Sequence, residues 1–290
     1  MDESDQGMAQ YDHHRDSLHA RRHLTVPAGP VRLHMETSGS GPSVVFAHGF
    51  GGSARNFRPQ AKALSRTHQV KLYDARGHAR SEAPTDPDAY SFERLVDDYE
   101  SVALSGDDSA LPVVAGGLSL GSATALAFAL RRKERVRALV LASPPGGSDD
   151  PERRAWALDF SRAIDERGLE AAGSEFVWGK RARFDPRGAA LIRSGFMEHP
   201  PHALSHILKR TLAELPGPTR LAAELGRLNR PVLIVMGAED QSSAESSRSL
   251  VALLPDAELV VVPGAGHVVN LAAAGAFNEA CQQFLSRVDR

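Results

Sequence analysis

The pentapeptide Gly117-Leu118-Ser119-Leu120-Gly121 constrains this chain more than any other stretch of it. An apolar run that reads as a strand, Leu111–Ala115, leads into it, and an Ala- and Leu-rich run that reads as a helix, Leu120–Arg132, leads out. A G-x-S-x-G set between a strand and a helix is a sharp turn that holds the serine in a strained backbone conformation. Bulky side chains two residues away on either side would collide there, and glycine satisfies both positions. The turn lifts the hydroxyl above a sheet edge, at the positive end of the helix that follows. Without those flanks the same five letters could be a chance loop; with them they predict a nucleophile, Ser119.

A serine hydroxyl is a poor nucleophile unless a base takes its proton. Among twelve histidines, His267 has the best setting, in Pro263-Gly264-Ala265-Gly266-His267 just past the apolar strand Leu259–Val262. Glycines let such a loop carry an imidazole over the sheet edge; an ordinary exposed loop histidine is the competing reading. An acid is expected after a neighbouring strand. Val232–Met236 ends in Gly237-Ala238-Glu239-Asp240, which nominates Asp240 to orient the imidazole, with Glu239 as the adjacent rival. His48-Gly49-Phe50-Gly51 follows the early strand Ser43–Ala47. The backbone N–H groups of Phe50 and Leu120 are the expected oxyanion donors, each typically worth about 3 kcal/mol to a tetrahedral transition state. His48 itself is read as a brace for the loop.

The wider pattern supports a sheet beneath these loops. Strands are expected at Val31–Glu36, Ser43–Ala47, Val70–Tyr73, Leu111–Ala115 and Val136–Ala142, with a helix capped by Ser91 and running through Leu104. Alternating strands and helices imply a mostly parallel sheet covered on both faces. From about residue 147 to 229 the strand rhythm stops, and Pro151–Arg167, Leu169–Trp178, Gly188–Phe196, Pro201–Leu215 and Pro218–Leu228 read as helices. Strands return at Val232–Met236 and Leu259–Val262, and a last helix covers Ala272–Val288. The expected organisation is a tail at 1–23, an α/β core at 24–146 and 230–290, and a helical cap at 147–229.

Composition excludes several alternatives. A net charge of −2 over 290 residues gives no electrostatic footprint for nucleic acid or an anionic membrane. The lone Cys281 cannot form an intrachain disulfide and reads as a buried structural thiol. No apolar run reaches a membrane span, and the first 23 residues lack the apolar core of a secretory signal, so a cytoplasmic protein is expected. His13, His14, His19 and His23 read as a solvated tail. His199, His202 and His206 mimic metal-ligand spacing, but Pro200 and Pro201 place His199 outside the following helix and no carboxylate or cysteine joins them. No metal or cofactor is expected. Trp178, Phe196 and Met197, with Phe50, are candidates for the pocket wall.

Together, H-G-F-G-G-S, D-A-R-G-H-A-R-S, G-L-S-L-G, G-A-E-D and G-A-G-H resemble the α/β-hydrolase superfamily, from about Val31 to the C-terminus. The order Ser, Asp, His along the chain is that family's order. The loop at Asp74–Ser81 resembles the family's D-x-R-G-x-G-x-S, with Ala79 in place of the middle glycine; it is usually structural, which accounts for Arg76 and Arg80 better than a phosphate patch. The resemblance is strongest to small bacterial carboxylesterases and enol-lactone hydrolases. It implies a serine hydrolase that acts on a small-molecule ester or lactone, as a monomer or homo-oligomer. The same triad also serves a menaquinone-pathway lyase and carbon–carbon bond hydrolases, and some relatives are non-catalytic receptors. Serine at the elbow sets the chain apart from relatives with an aspartate nucleophile.

Overall fold

A computed structural model describes residues 21–106, 110–182 and 186–290. Among the described residues, eight strands form one sheet: β1 Arg22–Ala28, β2 Val31–Ser38, β3 Ser43–Ala47, β4 Gln69–Tyr73, β5 Val113–Leu118, β6 Val136–Ala142, β7 Val232–Gly237 and β8 Ala257–Val262. Their order across the sheet is β1-β2-β4-β3-β5-β6-β7-β8. β1 and β2 form an antiparallel hairpin, β2 pairs antiparallel with β4, and every pairing from β4 to β8 is parallel. This is the expected α/β-hydrolase fold. The first strand had not been expected: β1 starts at Arg22, inside the stretch read as tail, while residues 1–20 lie outside those described.

Period-two alternation sends side chains to two cores. Val44, Phe46, Val114, Val140 and Val235 face one side, against Ala61 and Leu64 of the helix Arg58–Leu64 and Phe277, Cys281 and Phe284 of the helix Ala274–Val288. Val45, Ala47, Ala115, Leu139 and Ile234 face the other, against Val96 and Tyr99 of Phe92–Ala103, Phe128 of Leu120–Arg131 and Leu250 of Gln241–Leu253. Strands buried on both faces explain why β3, β5 and β7 read as continuous apolar runs. Phe128 is fully buried, and truncating such a ring costs about 3–5 kcal/mol. Cys281 is fully buried as well, and burial pushes its thiol far up.

Among the described residues, the connection from β6 to β7 holds helices and turns only. Its first helix, Pro151–Phe176, is broken by Gly168 (φ 79°, ψ 173°), at the boundary between the two helices read from the sequence. Asp150 accepts from the N–H groups of Glu152 and Arg153 and sets where it starts. Pro186–Phe196 and Pro201–Ile207 follow. No helix among the described residues is long and apolar enough to cross a membrane.

Candidate active site

Ser119 stands between β5 and the helix Leu120–Arg131 with φ 54° and ψ −119°, a region that L-residues avoid. The strain is held by crowding. A Cβ on Gly121 would lie 2.1 Å from the Ala47 carbonyl oxygen at the end of β3, and one on Gly117 would lie 2.4 Å from the Gly121 carbonyl carbon. Only glycine fits either place, as the sequence argument required. The Ser119 N–H meanwhile donates to Ala142 O (2.9 Å), which anchors the elbow to β6.

The loops after β7 and β8 bring His267 and Asp240 together: Nδ1–H of His267 donates to Asp240 Oδ2 at 2.9 Å, with both residues buried. Glu239 is exposed, and its N–H is used by Ala265 O. Two residues unremarked in the sequence complete this corner. Ser242 Oγ donates to Asp240 Oδ1 (2.7 Å), and Ser243 Oγ lies 3.3 Å from His267 Nδ1 while donating to Ser143 O. Burial alone would raise the Asp240 carboxyl, but His267 and the two serine hydroxyls outweigh it and hold it well below the usual carboxylate range. The imidazole is therefore given a fixed anion and a fixed ring orientation, with Nδ1 committed to the carboxylate.

The third part is the loop after β3. His48 Nδ1–H donates to Gly49 O (2.7 Å), and Gly52 N–H donates to the same oxygen (3.0 Å). A trans peptide pinned at its carbonyl must turn its N–H the opposite way, and that N–H belongs to Phe50. No acceptor among the described residues takes it. His48 Nε2 accepts from Ala75 N–H (2.9 Å), so this ring is neutral, with its proton on Nδ1. Burial lowers its pKa to about 4. His78 lies against it at 4.8 Å between ring centroids, and His199 lies 5.0 Å beyond His78. Burial pushes both below the usual histidine range.

The Asp74–Ser81 loop packs beneath. Arg76 makes a buried bidentate pair with Asp98 (2.6 and 2.7 Å) and donates to Ala89 O. Arg80 bonds Asp74 and Glu36. Both guanidinium groups are thus committed to carboxylates within the fold. Ala79, where the family pattern has glycine, sits at φ 45°.

Gly49, Phe50, Leu118, Ser119, Ile192, His267 and Val268 line a pocket of about 30 Å³, with Gly52 and Asn56 at its side. Of the expected wall residues Phe50 is in this lining, and the other three fall elsewhere. Phe196 is buried behind this lining, its ring 6.4 Å from that of Phe50 and packed on Gly51, where a Cβ would sit 2.7 Å from its Cδ2. Trp178 packs edge-on to Phe196 from outside, under the Arg193 guanidinium, and Met197 is exposed. Ile192, one helical turn before Phe196, is the residue of the inserted helices that reaches the pocket. A larger groove of about 950 Å³ between Arg21, Arg58, Lys62 and Gln282 contains none of these residues.

Of the histidines with metal-like spacing, His199 turns away to bond Gly51 and Ala79, while the His202 and His206 rings lie 6.1 Å apart, His202 approaching Ala83 O (3.3 Å) and His206 meeting Tyr90. His23, His34 and Glu36 do come together on the β1–β2 hairpin, but Glu36 is already held by Arg58 and Arg80, which compete with any cation.

Residues 42–274 match the family described as alpha/beta hydrolase fold. The polyketide synthase ThaQ of Burkholderia thailandensis is 30% identical over 92% of this chain, which spans 13% of that much longer protein. A putative 2-succinyl-6-hydroxy-2,4-cyclohexadiene-1-carboxylate synthase of Bacillus subtilis is 28% identical over 91% of this chain and 98% of its own length. Among solved structures, the enol-lactonase of Burkholderia xenovorans LB400 superposes with a TM-score of 0.76 at 25% identity, covering 91% of this chain and all of that one.

Proposed function

The chain belongs to the α/β-hydrolase family, and from that premise we propose that it cleaves a carboxylic ester or lactone of a small molecule through an acyl-enzyme on Ser119. One observation carries the reading: the strained Ser119 and a His267 already hydrogen-bonded to Asp240 open onto the same pocket.

His267 Nε2 takes the Ser119 proton as Oγ adds to the ester carbonyl. The tetrahedral oxyanion is met by the N–H groups of Phe50 and Leu120, the second at the start of its helix, where backbone donors have no partner within the helix. Asp240 stabilises the imidazolium without taking its proton. The imidazolium protonates the leaving alkoxide. Water then adds to the acyl-enzyme with His267 again as base, and the acid leaves as Ser119 is restored. No metal or cofactor is needed for any step. The helices between β6 and β7 act as the cap over this pocket and supply Ile192 to its wall.

The described lining is apolar apart from Asn56, Ser119 and His267, which suits a neutral acyl group better than a carboxylate-bearing substrate. That favours ester or lactone cleavage over a reaction like that named for the Bacillus relative. The test is hydrolysis of short p-nitrophenyl esters and small lactones by the purified protein and by Ser119→Ala. The variant is expected to lose turnover and keep its fold, and a fluorophosphonate is expected to label Ser119 alone. Undiminished hydrolysis by the variant, or a label mapped to another residue, would overturn the assignment.

A further inference from the structure

We propose that His199, contributed by the inserted helices, is a positioning residue for the oxyanion loop. The inference rests on the reading of Phe50 N–H as an oxyanion donor.

His199 lies in the turn between Pro186–Phe196 and Pro201–Ile207 and is 4% exposed. Its Nε2–H donates to Gly51 O at 2.9 Å, across 148 residues of sequence, and its Nδ1 accepts from Ala79 N–H at 2.9 Å, across 120. One acceptor and one donor on a neutral ring leave a single tautomer that satisfies both bonds. Both partners sit at positive φ, Gly51 at 68° and Ala79 at 45°. The ring therefore bridges two loops at their least favourable backbone positions.

Gly51 follows the residue whose N–H matters. Its own N–H donates to His78 Nε2 (3.2 Å), and its carbonyl is taken by His199. The two peptide groups after Phe50 are thus each held by an imidazole. Phe196, three residues before His199, fills the space over Gly51 where a side chain would stand. A loop reading Gly-Phe-Gly-Gly has little stiffness of its own, so its shape must be imposed from outside. Both ring nitrogens are engaged and the residue is absent from the lining of the Ser119 pocket, so it acts through the loop and not on substrate. The insert thereby sets how well the transition state is held, in addition to covering the pocket.

Two conservative variants divide the ring's bonds. The amide nitrogen of Gln at 199 falls where Nε2 lies and can donate to Gly51 O. The amide oxygen of Asn falls where Nδ1 lies and can accept only from Ala79. Wild type, Ser119→Ala, His199→Gln, His199→Asn and His199→Ala are compared on one activated ester, and by affinity for an alkyl trifluoromethyl ketone, which forms an oxyanion on the serine. Losing one oxyanion donor costs about 10²–10³ in kcat, so a misaimed donor is expected to cost roughly 10–100-fold. Asn and Ala should lose that much in kcat, with KM within about twofold and ketone affinity falling in parallel; Gln should stay within about threefold of wild type. A purely structural role would lower Tm without separating Gln from Asn in kcat. Equal kcat in Gln and Asn, or unchanged kcat in all three His199 variants while Ser119→Ala is dead, overturns the inference and leaves the nucleophile standing. Turnover by Ser119→Ala overturns both. If His199→Ala does not fold, the Gln and Asn pair still decides.

Discussion

The two flanks of Ser119 are built on different plans. On one side, Asp240 and His267 come from the loops after two adjacent strands and Ser242 and Ser243 from the first turn of the helix Gln241–Leu253; the hydrogen bonds that join these four span at most 27 residues of sequence, and Ser243 also reaches Ser143 O. On the other, the loop Gly49–Gly52 is glycine-rich and takes its shape from His48, from His78 in the next loop and from His199 in the inserted helices. The first flank is an anion and its ligands, all supplied by the core. The second is a backbone segment gripped by three neutral imidazoles from three places. A charge can be fixed by neighbours in sequence, whereas an N–H can be aimed only by fixing the peptides around it, and those reach into whatever packs above.

The sharpest way to break this contrast is at the acid. Asp240→Asn should leave the flank folded but stabilise the wrong imidazole tautomer, and kcat should fall roughly 10⁴-fold. Glu239→Gln, which changes an exposed neighbour, should cost about tenfold or less. Measuring kcat of both on one ester decides; a crippled Glu239→Gln would move the acid by one residue and undo the account of this flank.

The next effect is smaller and falls on the other flank. His48, His78 and His199 each accept a backbone N–H, from Ala75, Gly51 and Ala79 respectively, and each is depressed by burial, His48 to about 4. A histidine lowered in the folded state binds its proton more readily when unfolded. Its contribution is therefore complete above the ordinary value of about 6.5 and is lost as pH falls from there toward the folded pKa. Each unit of depression corresponds to about 1.4 kcal/mol. Asp240, held low, stays ionised through the same window. Amide exchange, corrected for intrinsic chemistry and followed from pH 8 to 5, should show protection at Ala75, Gly51 and Ala79 falling first, while amides of β7 hold. Uniform loss across both flanks would erase the distinction.

The smallest effect sharpens it. Ala79 stands at φ 45°, where a Cβ costs about 1–2 kcal/mol and glycine repays part of that gain in unfolded-state entropy. Ala79→Gly should raise stability by roughly 1 kcal/mol or less in a denaturant titration, with kcat unchanged. A destabilised variant would mean that His199 and Asp74 hold this loop without strain.

The same division governs what could be read from the sequence. Ser119, Asp240 and His267 were legible because each ends a strand in a short loop, and strand ends are where a parallel sheet presents its chemistry. The break at Gly168 was legible because glycine interrupts a helix by itself. The hairpin strand β1 was not, since its alternation is diluted by charge and four of its first residues are exposed. Nor was the helix Gln241–Leu253, whose five serines hide a short apolar stripe. The pocket wall was misplaced because size suggested Trp178, Phe196 and Met197, while depth was set by Gly51: the bare glycine draws Phe196 inward to pack, and Ile192 one turn earlier is left to face the serine. His199 drew notice only for its spacing from His202 and His206; its bridging role carried no signal, because its partners lie 120 and 148 residues away.

The pocket of about 30 Å³ beside Ser119 is narrow, and Ile192, from the inserted helices, stands on its wall. On the proposed reading, an acyl chain bulkier than this space meets Ile192 first, so discrimination by size falls to a side chain that the α/β core does not supply. The layer that sets size and the layer that carries the serine can then change independently of each other.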